Sequence, residues 1–154
     1  MAPRTTPKHL DLSTFLPYLV NRVGVAVATR FTNEALGASH LTIAHWRVLA
    51  ALSNNGGIRQ VDLAEMTSIE VSTVSRLVTR LVRLGLVTRV RSTTSNREVV
   101  VQLSPKGKTV VTDIIPVALR LEEIAVEGVS KSDLATTKRV LRQAYLNLKG
   151  RAAE

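Results

Sequence analysis

The chain has 154 residues, 45 % of them hydrophobic, no cysteine and a formal net charge of +9. This length and apolar fraction fit one globular domain with or without appended helices and exclude a disordered polymer. Without cysteine there is no disulfide, no thiolate-bound zinc and no thiol redox sensor, while the basic excess points to a polyanionic partner, nucleic acid or an acidic membrane surface, or else to a plainly solvated basic surface.

Residues 1–10 hold two prolines among polar residues and predict a loose arm. MAPRTTPKHLDLS has no apolar run of the signal-peptide kind, and no stretch is long and uncharged enough for a membrane span, so a soluble, cytoplasmic protein with no membrane partner is expected. Leu12, Phe15, Leu16, Leu19, Val20, Val23, Ala26, Val27 and Phe31 recur at helical spacing. They predict a first helix within 11–37, capped by Ser13, tolerant of Pro17 near its start and stopped at Gly37. Thr42 caps a second helix, which ends in Asn54-Asn55-Gly56-Gly57. A short helix over about 60–66, a turn at 67–70 and a helix over about 71–84, closed by Gly85, come next.

The period then changes. Residues 86–91 and 98–103 are Val-rich and predict two strands, joined by the polar tip Ser92-Thr93-Thr94-Ser95-Asn96. Ser104-Pro105 opens a helix to about Glu127, with a kink expected at Pro116 and an end at Gly128. Ser130 and Asp133 resemble a capping box ahead of a last helix striped with Leu134, Leu141, Tyr145 and Leu148. The fold class is mainly α with a small β-hairpin wing. The end helices carry apolar stripes that their own chain has little left to cover, which points to a second copy as partner.

A short helix, a tight turn and a second amphipathic helix make a helix-turn-helix pattern. In the second helix Val74, Leu77, Val78, Leu81 and Leu84 form the apolar face. Ser72, Thr73, Ser75, Arg76, Thr79, Arg80 and Arg83 form the other. Small hydroxyls permit close approach to phosphates and base edges, and Arg76 and Arg80, one turn apart, can offer bidentate donors to guanine or phosphate. From Val71 to Arg97 every charged residue is an arginine: Arg76, Arg80, Arg83, Arg89, Arg91 and Arg97. A merely solvated helix mixes signs at four-residue spacing, so a one-sign stretch over a helix and a hairpin reads as a surface for double-stranded DNA. Arg97, at the base of the hairpin tip, suits a minor groove, with Arg89 and Arg91 contacting phosphate or bracing the hairpin.

These residues resemble the MarR family of bacterial regulators. The resemblance rests on Leu41-Thr42…Trp46-Arg47-Val48-Leu49, Asp62-Leu63-Ala64, Ser72-Thr73-Val74-Ser75-Arg76-Leu77-Val78, Leu81…Leu84-Gly85-Leu86-Val87-Thr88-Arg89 and Leu103-Ser104-Pro105-Lys106-Gly107. It covers the middle half of the chain closely, and the flanking helices match in order and length. The family's wing usually carries Asp-x-Arg; here the places read Ser95-Asn96-Arg97, so the arginine is kept and the acid is not. The resemblance implies a homodimer on a palindromic operator, acting as a repressor. It also implies release by a small anionic aromatic or acyl-thioester effector, with Arg22, Arg30, His40, His45 and Trp46 as pocket candidates. Each of these has a plainer reading: Trp46 as core, the histidines as hydrogen-bonded structure, Arg22 at the dimer surface.

The expected organisation is an arm over 1–10, a dimerisation helix over 11–37, a DNA-binding lobe over 38–104 and dimerisation helices over 105–154. No glycine-rich phosphate loop, nucleophile elbow or metal motif stands in the sequence, and His40 and His45 are not at helical i, i+4 spacing, so neither an enzyme nor a cofactor is expected. The competing readings are a winged-helix module that binds protein, an architectural DNA-binding module without an effector, and a basic protein at a membrane surface. The last would need its apolar face open to lipid, where the core already claims it.

Overall fold

In the computed structural model, residues 9–91 and 98–150 are described. The expected arm, the hairpin tip with Ser95 and Arg97, and the last four residues lie outside them, apart from His9 and Leu10.

The first apolar stripe forms helix α1, Leu16–Phe31, which starts later than predicted. Ser13 does not cap it. Its N–H and hydroxyl both donate to Asp11 Oδ1, at 2.8 and 2.7 Å, closing a separate turn and holding the Asp11 carboxyl below its usual range. Pro17 sits in the first turn of α1, where its missing N–H has no helical partner to lose. Gly37 does not stop the run either. A π-helical turn, Thr32–Leu36, and a 3-10 turn, Gly37–Ser39, carry the chain to His40, whose left-handed φ of 55° makes the break. The π turn has a packing reason. Phe31 and Leu36 are both buried, yet residues five apart point to different sides of an α-helix with about 3.6 residues per turn. An i→i+5 turn brings them to one side.

Thr42 caps helix α2, Ile43–Asn55, as predicted. Helices α3, Gln60–Thr67, and α4, Val71–Arg83, are joined through Ser68 at φ 55°. The Ile69 N–H bonds back to the Ala64 carbonyl, which satisfies the end of α3 and turns the chain sharply. Val48, Leu49 and Leu52 of α2, Leu63 and Ala64 of α3, and Val74, Val78 and Leu81 of α4 are buried together. Each large aliphatic side chain so buried contributes about 1.5–3 kcal/mol.

Strands β1, Val87–Arg91, and β2, Val99–Leu103, pair antiparallel, with Val87 opposite Leu103 and Arg91 opposite Val99. A third segment, not foreseen, joins them. Ile58 exchanges two backbone bonds with Val101, at 2.9 and 2.8 Å, so the residues leading into α3 pair with the hairpin's returning strand.

Helix α5, Pro105–Ala125, contains Pro116 and remains one helix through it. Ser104 Oγ accepts from the Gly107 N–H at 2.9 Å and donates to the Gly85 carbonyl at 2.6 Å, tying α5 to the turn after α4. The chain divides into two compact units, Met1–Leu119 and Arg120–Glu154. In the second, Gly128 (φ 79°) ends the turn after α5 and helix α6, Lys131–Lys149, follows. Only half of the predicted capping box at its start forms. Ser130 Oγ accepts from the Asp133 N–H at 3.0 Å, but the Asp133 carboxylate takes the serine hydroxyl proton rather than the backbone N–H. Aspartate is a methylene shorter than the glutamate of a full box. Leu141, Tyr145 and Leu148 on α6, and Leu19, Val20 and Val23 on α1, are exposed in the single chain.

Gly107 marks the closest approach in this frame: a Cβ there would lie 1.9 Å from the Leu86 carbonyl oxygen. Backbone must move to admit it. Gly107→Ala is expected to lower stability by about 1–3 kcal/mol, as overpacking does, read as a drop in the urea midpoint at unchanged m.

Candidate nucleic-acid interface

Burial of Val74, Val78 and Leu81 fixes the rotation of α4 and sends the opposite side of the helix to solvent. Ser72, Thr73, Ser75, Arg76, Arg80 and Arg83 are all exposed there. Arg76, Arg80 and Arg83 line an open cleft of about 420 Å³ with Ser75, Thr79 and Leu84. The Lys106 ammonium bonds the Leu84 carbonyl at 3.0 Å, placing a further cation at the C-terminal end of α4, where the helix dipole favours one.

Thr79 has a different part from its neighbours. Its hydroxyl donates to the Ser75 carbonyl at 2.9 Å and accepts from Arg89 Nη2 at 2.9 Å. Arg89 of β1 is thereby tied to α4, which makes it a brace between hairpin and helix. Arg91, two residues on along the same strand, is exposed. Arg97, expected at the wing base, lies outside the described residues.

Four of the five pocket candidates make contacts of their own within the chain. Arg22 stacks over the Tyr18 ring, 5.7 Å from its centroid, and Arg30 pairs with Glu34 at 2.8 Å. His40 is exposed at the left-handed break. Trp46 is half-buried and meets the Phe31 ring at a tilt, with centroids 5.4 Å apart and planes at 55°. His45 takes part in the α2 cap. Its Nδ1 accepts the Thr42 N–H at 3.1 Å and lies 2.8 Å from the Thr42 hydroxyl, which in turn accepts the His45 N–H at 3.3 Å. A histidine thus fills the place where a capping box normally has Glu or Gln. With Nδ1 accepting, the neutral ring carries its proton on Nε2, a buried atom with no hydrogen-bond partner among the described residues. Neither the arginine-lined cleft nor a second one, lined in part by Ser53, Gln102 and Lys108, includes any of the five.

One constellation escapes a reading of the sequence. Arg59 Nε and Nη2 grip both oxygens of Asp62 at 2.7 and 3.0 Å, and its Nη1 reaches Glu98 Oε1 at 3.2 Å. The Arg59–Asp62 half is visible as an i, i+3 pair at a helix start. The Glu98 half spans 39 residues of chain and has no local signal.

A family model described as "MarR family" matches residues 40–98. A solved MarR family transcriptional regulator from Silicibacter pomeroyi DSS is 33 % identical, over 92 % of each chain, with a TM-score of 0.80. BpsR of Bordetella bronchiseptica, a protein whose DNA binding is regulated by 6-hydroxynicotinic acid, is 25 % identical over 84 % of this chain and 98 % of its own, with a TM-score of 0.73. The HTH-type transcriptional regulator FarR of Neisseria gonorrhoeae is 29 % identical over 89 residues, a match covering 58 % of this chain and 60 % of that relative.

The histidine cap makes stability depend on pH. Burial, and secondarily the charge of Arg80, holds the His45 pKa below its usual value of 6.5. The folded chain therefore prefers the neutral ring, while the unfolded chain takes up a proton near the usual value. This contribution to stability is fully present above about pH 6.5 and is lost as the pH falls from there towards the lowered folded value. Urea midpoints between pH 8 and pH 5 are expected to fall on the acid side. His45→Gln, which can still cap α2, is expected to flatten that fall.

Proposed function

The chain belongs to the MarR family of transcriptional regulators, and on that premise we propose that it works as a homodimer reading a palindromic DNA operator with α4 and the hairpin. The observation that carries this is the exposed, acid-free side of α4, with Arg76, Arg80 and Arg83 beside small hydroxyls, braced to the strand bearing Arg91 by the Arg89–Thr79 bond. In this reading Ser72, Thr73 and Ser75 approach the phosphates and the groove edge. Arg76 and Arg80 supply fork-shaped donors to guanine or phosphate. Arg91 contacts phosphate, Arg97 enters the minor groove, and Thr79 acts through Arg89 by holding it in place.

The dimer follows from uncovered apolar surface. α1 and α6 expose aliphatic and aromatic side chains at helical spacing, and a second copy is the simplest cover. Residues 11–37 and 105–154 then serve dimerisation and 38–104 form the DNA-binding lobe, in a cytoplasmic repressor. The regulation of BpsR by 6-hydroxynicotinic acid supports an effector of the same kind here, a small anionic aromatic acid or its acyl thioester. To release DNA it must bind the DNA-incompetent dimer more tightly than the competent one. In this reading Arg22, Arg30, His40, His45 and Trp46 border the effector only in the dimer. For Arg30 this means exchanging its Glu34 partner for the ligand.

Recovery of bound fragments from a random duplex pool supplies the operator for a direct test. Two protomers are expected on each duplex by sedimentation, with affinity falling steeply as salt rises. Arg76→Ala is expected to cost about 1–3 kcal/mol of operator binding and to relax specificity within the site. Unchanged affinity and specificity in that variant would remove α4 from the groove. Effectors are sought among aromatic carboxylates and their thioesters. A true one raises the melting temperature and weakens operator binding together.

A further inference from the structure

The segment that follows the hairpin, Ser104-Pro105-Lys106-Gly107, returns to the last turn of α4 and carries one charged side chain, Lys106. The chain is fixed on either side of it. Ser104 Oγ donates to the Gly85 carbonyl at 2.6 Å, and Gly107 lies so close to Leu86 that no Cβ fits between them. The backbone of Lys106 is thus held against the turn that closes α4. Its stem passes Gly85, where a Cβ would meet Lys106 Cδ at 4.0 Å, and its Nζ donates to the Leu84 carbonyl at 3.0 Å. An exposed lysine ordinarily samples many rotamers, but this one is directed to a single place.

That place matters electrostatically. The C-terminal end of a helix carries roughly half a negative charge on its unsatisfied carbonyls. On a helix that meets DNA, this end repels phosphate. Lys106 brings a whole positive charge to it, so the local balance stays positive. One of the three ammonium N–H donors goes to Leu84, and two remain. Leu84 also lines the cleft of Arg76, Arg80 and Arg83, so the ammonium continues that arginine surface at its C-terminal end. Lys106 is exposed, and among the described residues no carboxylate pairs with it, with Arg80 or with Arg83.

We propose that Lys106 is a phosphate-binding residue of the DNA interface, which extends that interface beyond α4 and the hairpin to the start of α5. Its contact is with the DNA backbone. An ammonium anchored on a carbonyl offers charge and single N–H donors, not the planar fork that reads a base edge. The inference rests on the reading that α4 meets DNA, and the experiment keeps the two apart.

Affinity is measured by fluorescence anisotropy across a salt series for the wild type, Arg76→Ala and Lys106→Met, on the recovered operator and on an unrelated duplex, with urea midpoints for each. If Arg76→Ala binds the operator like the wild type, the α4 reading fails and takes this inference with it. Given a loss there, Lys106→Met is expected to bind about three- to tenfold more weakly on both duplexes alike, with the slope of log K against log salt smaller by about 1. A lysine that only caps α4 predicts a different pattern. Its removal would loosen the recognition helix, lowering affinity for the operator more than for the unrelated duplex and leaving the slope unchanged. That pattern would overturn the proposal, as would full affinity on both duplexes. If Lys106→Met folds poorly, the wild type decides the matter by itself. Acetylation of its amines, followed by mass spectrometry, is expected to be about fivefold slower at Lys106 in the operator complex than in the free protein, because an amine paired with phosphate stays charged and unreactive. Equal rates in the two states would overturn the proposal.

Discussion

The burial of one side of α4 is the constraint on which the rest depends. Val74, Val78 and Leu81 have no exposed surface to speak of, and they leave the helix one rotational setting against α2 and α3. That setting decides what faces outward. The arginines and hydroxyls of the opposite side are presented because the aliphatic side is spoken for. No separate force orients them, and a change in core packing would turn the whole surface.

A second set of contacts converts the orientation of α4 into a placement of the hairpin. Gly85, at φ 71°, ends the helix and sends the chain into β1. The hairpin returns at Ser104, whose hydroxyl bonds the Gly85 carbonyl and whose N–H bonds the Leu86 carbonyl at 3.0 Å. Entry and exit of the hairpin are thus held at one point, with Gly107 pressed against Leu86 to permit it. Arg89 adds a side-chain brace from β1 to Thr79, and Ile58 adds a backbone brace from β2 to the start of α3. These bonds tie the described residues of the hairpin to α4, to the turn after it and to the start of α3.

Residues of the same type take different parts on this frame. Arg76 and Arg89 stand in the same acid-free stretch, yet Arg76 lines an open cleft and Arg89 spends a donor on a threonine of its own chain. His40 and His45 lie five residues apart. One terminates a helical run through its backbone, and the other caps the next helix through its ring. Arg22 and Arg30 sit on one helix, where one stacks on a tyrosine and the other pairs with a glutamate.

Elements and their order were legible in the sequence, because they depend on short-range pattern. The Thr42 cap, the Val71 start of α4, the Gly85 stop, the Val-rich strands and the Ser104-Pro105 start of α5 all declare themselves within a few residues. So did the one-sign face of α4, since helical periodicity alone separates Val74 and Val78 from Arg76 and Arg80. What failed were places where local signals compete with packing. Ser13 looked like a cap but bonded Asp11, and Gly37 looked like a stop, yet the burial of Phe31 together with Leu36 drew the helix into a π turn and on to His40. What stayed hidden were partnerships across long stretches of chain: Ile58 with Val101, Arg59 with Glu98, Ser104 with Gly85 and Gly107 with Leu86. The sequence by itself determined which segments are helical or extended and which side of each is apolar, since those follow from periodicity and propensity. Only the tertiary structure decided which polar groups are spent within the chain and which remain for a partner, since a hydrogen bond depends on distances that no local pattern records.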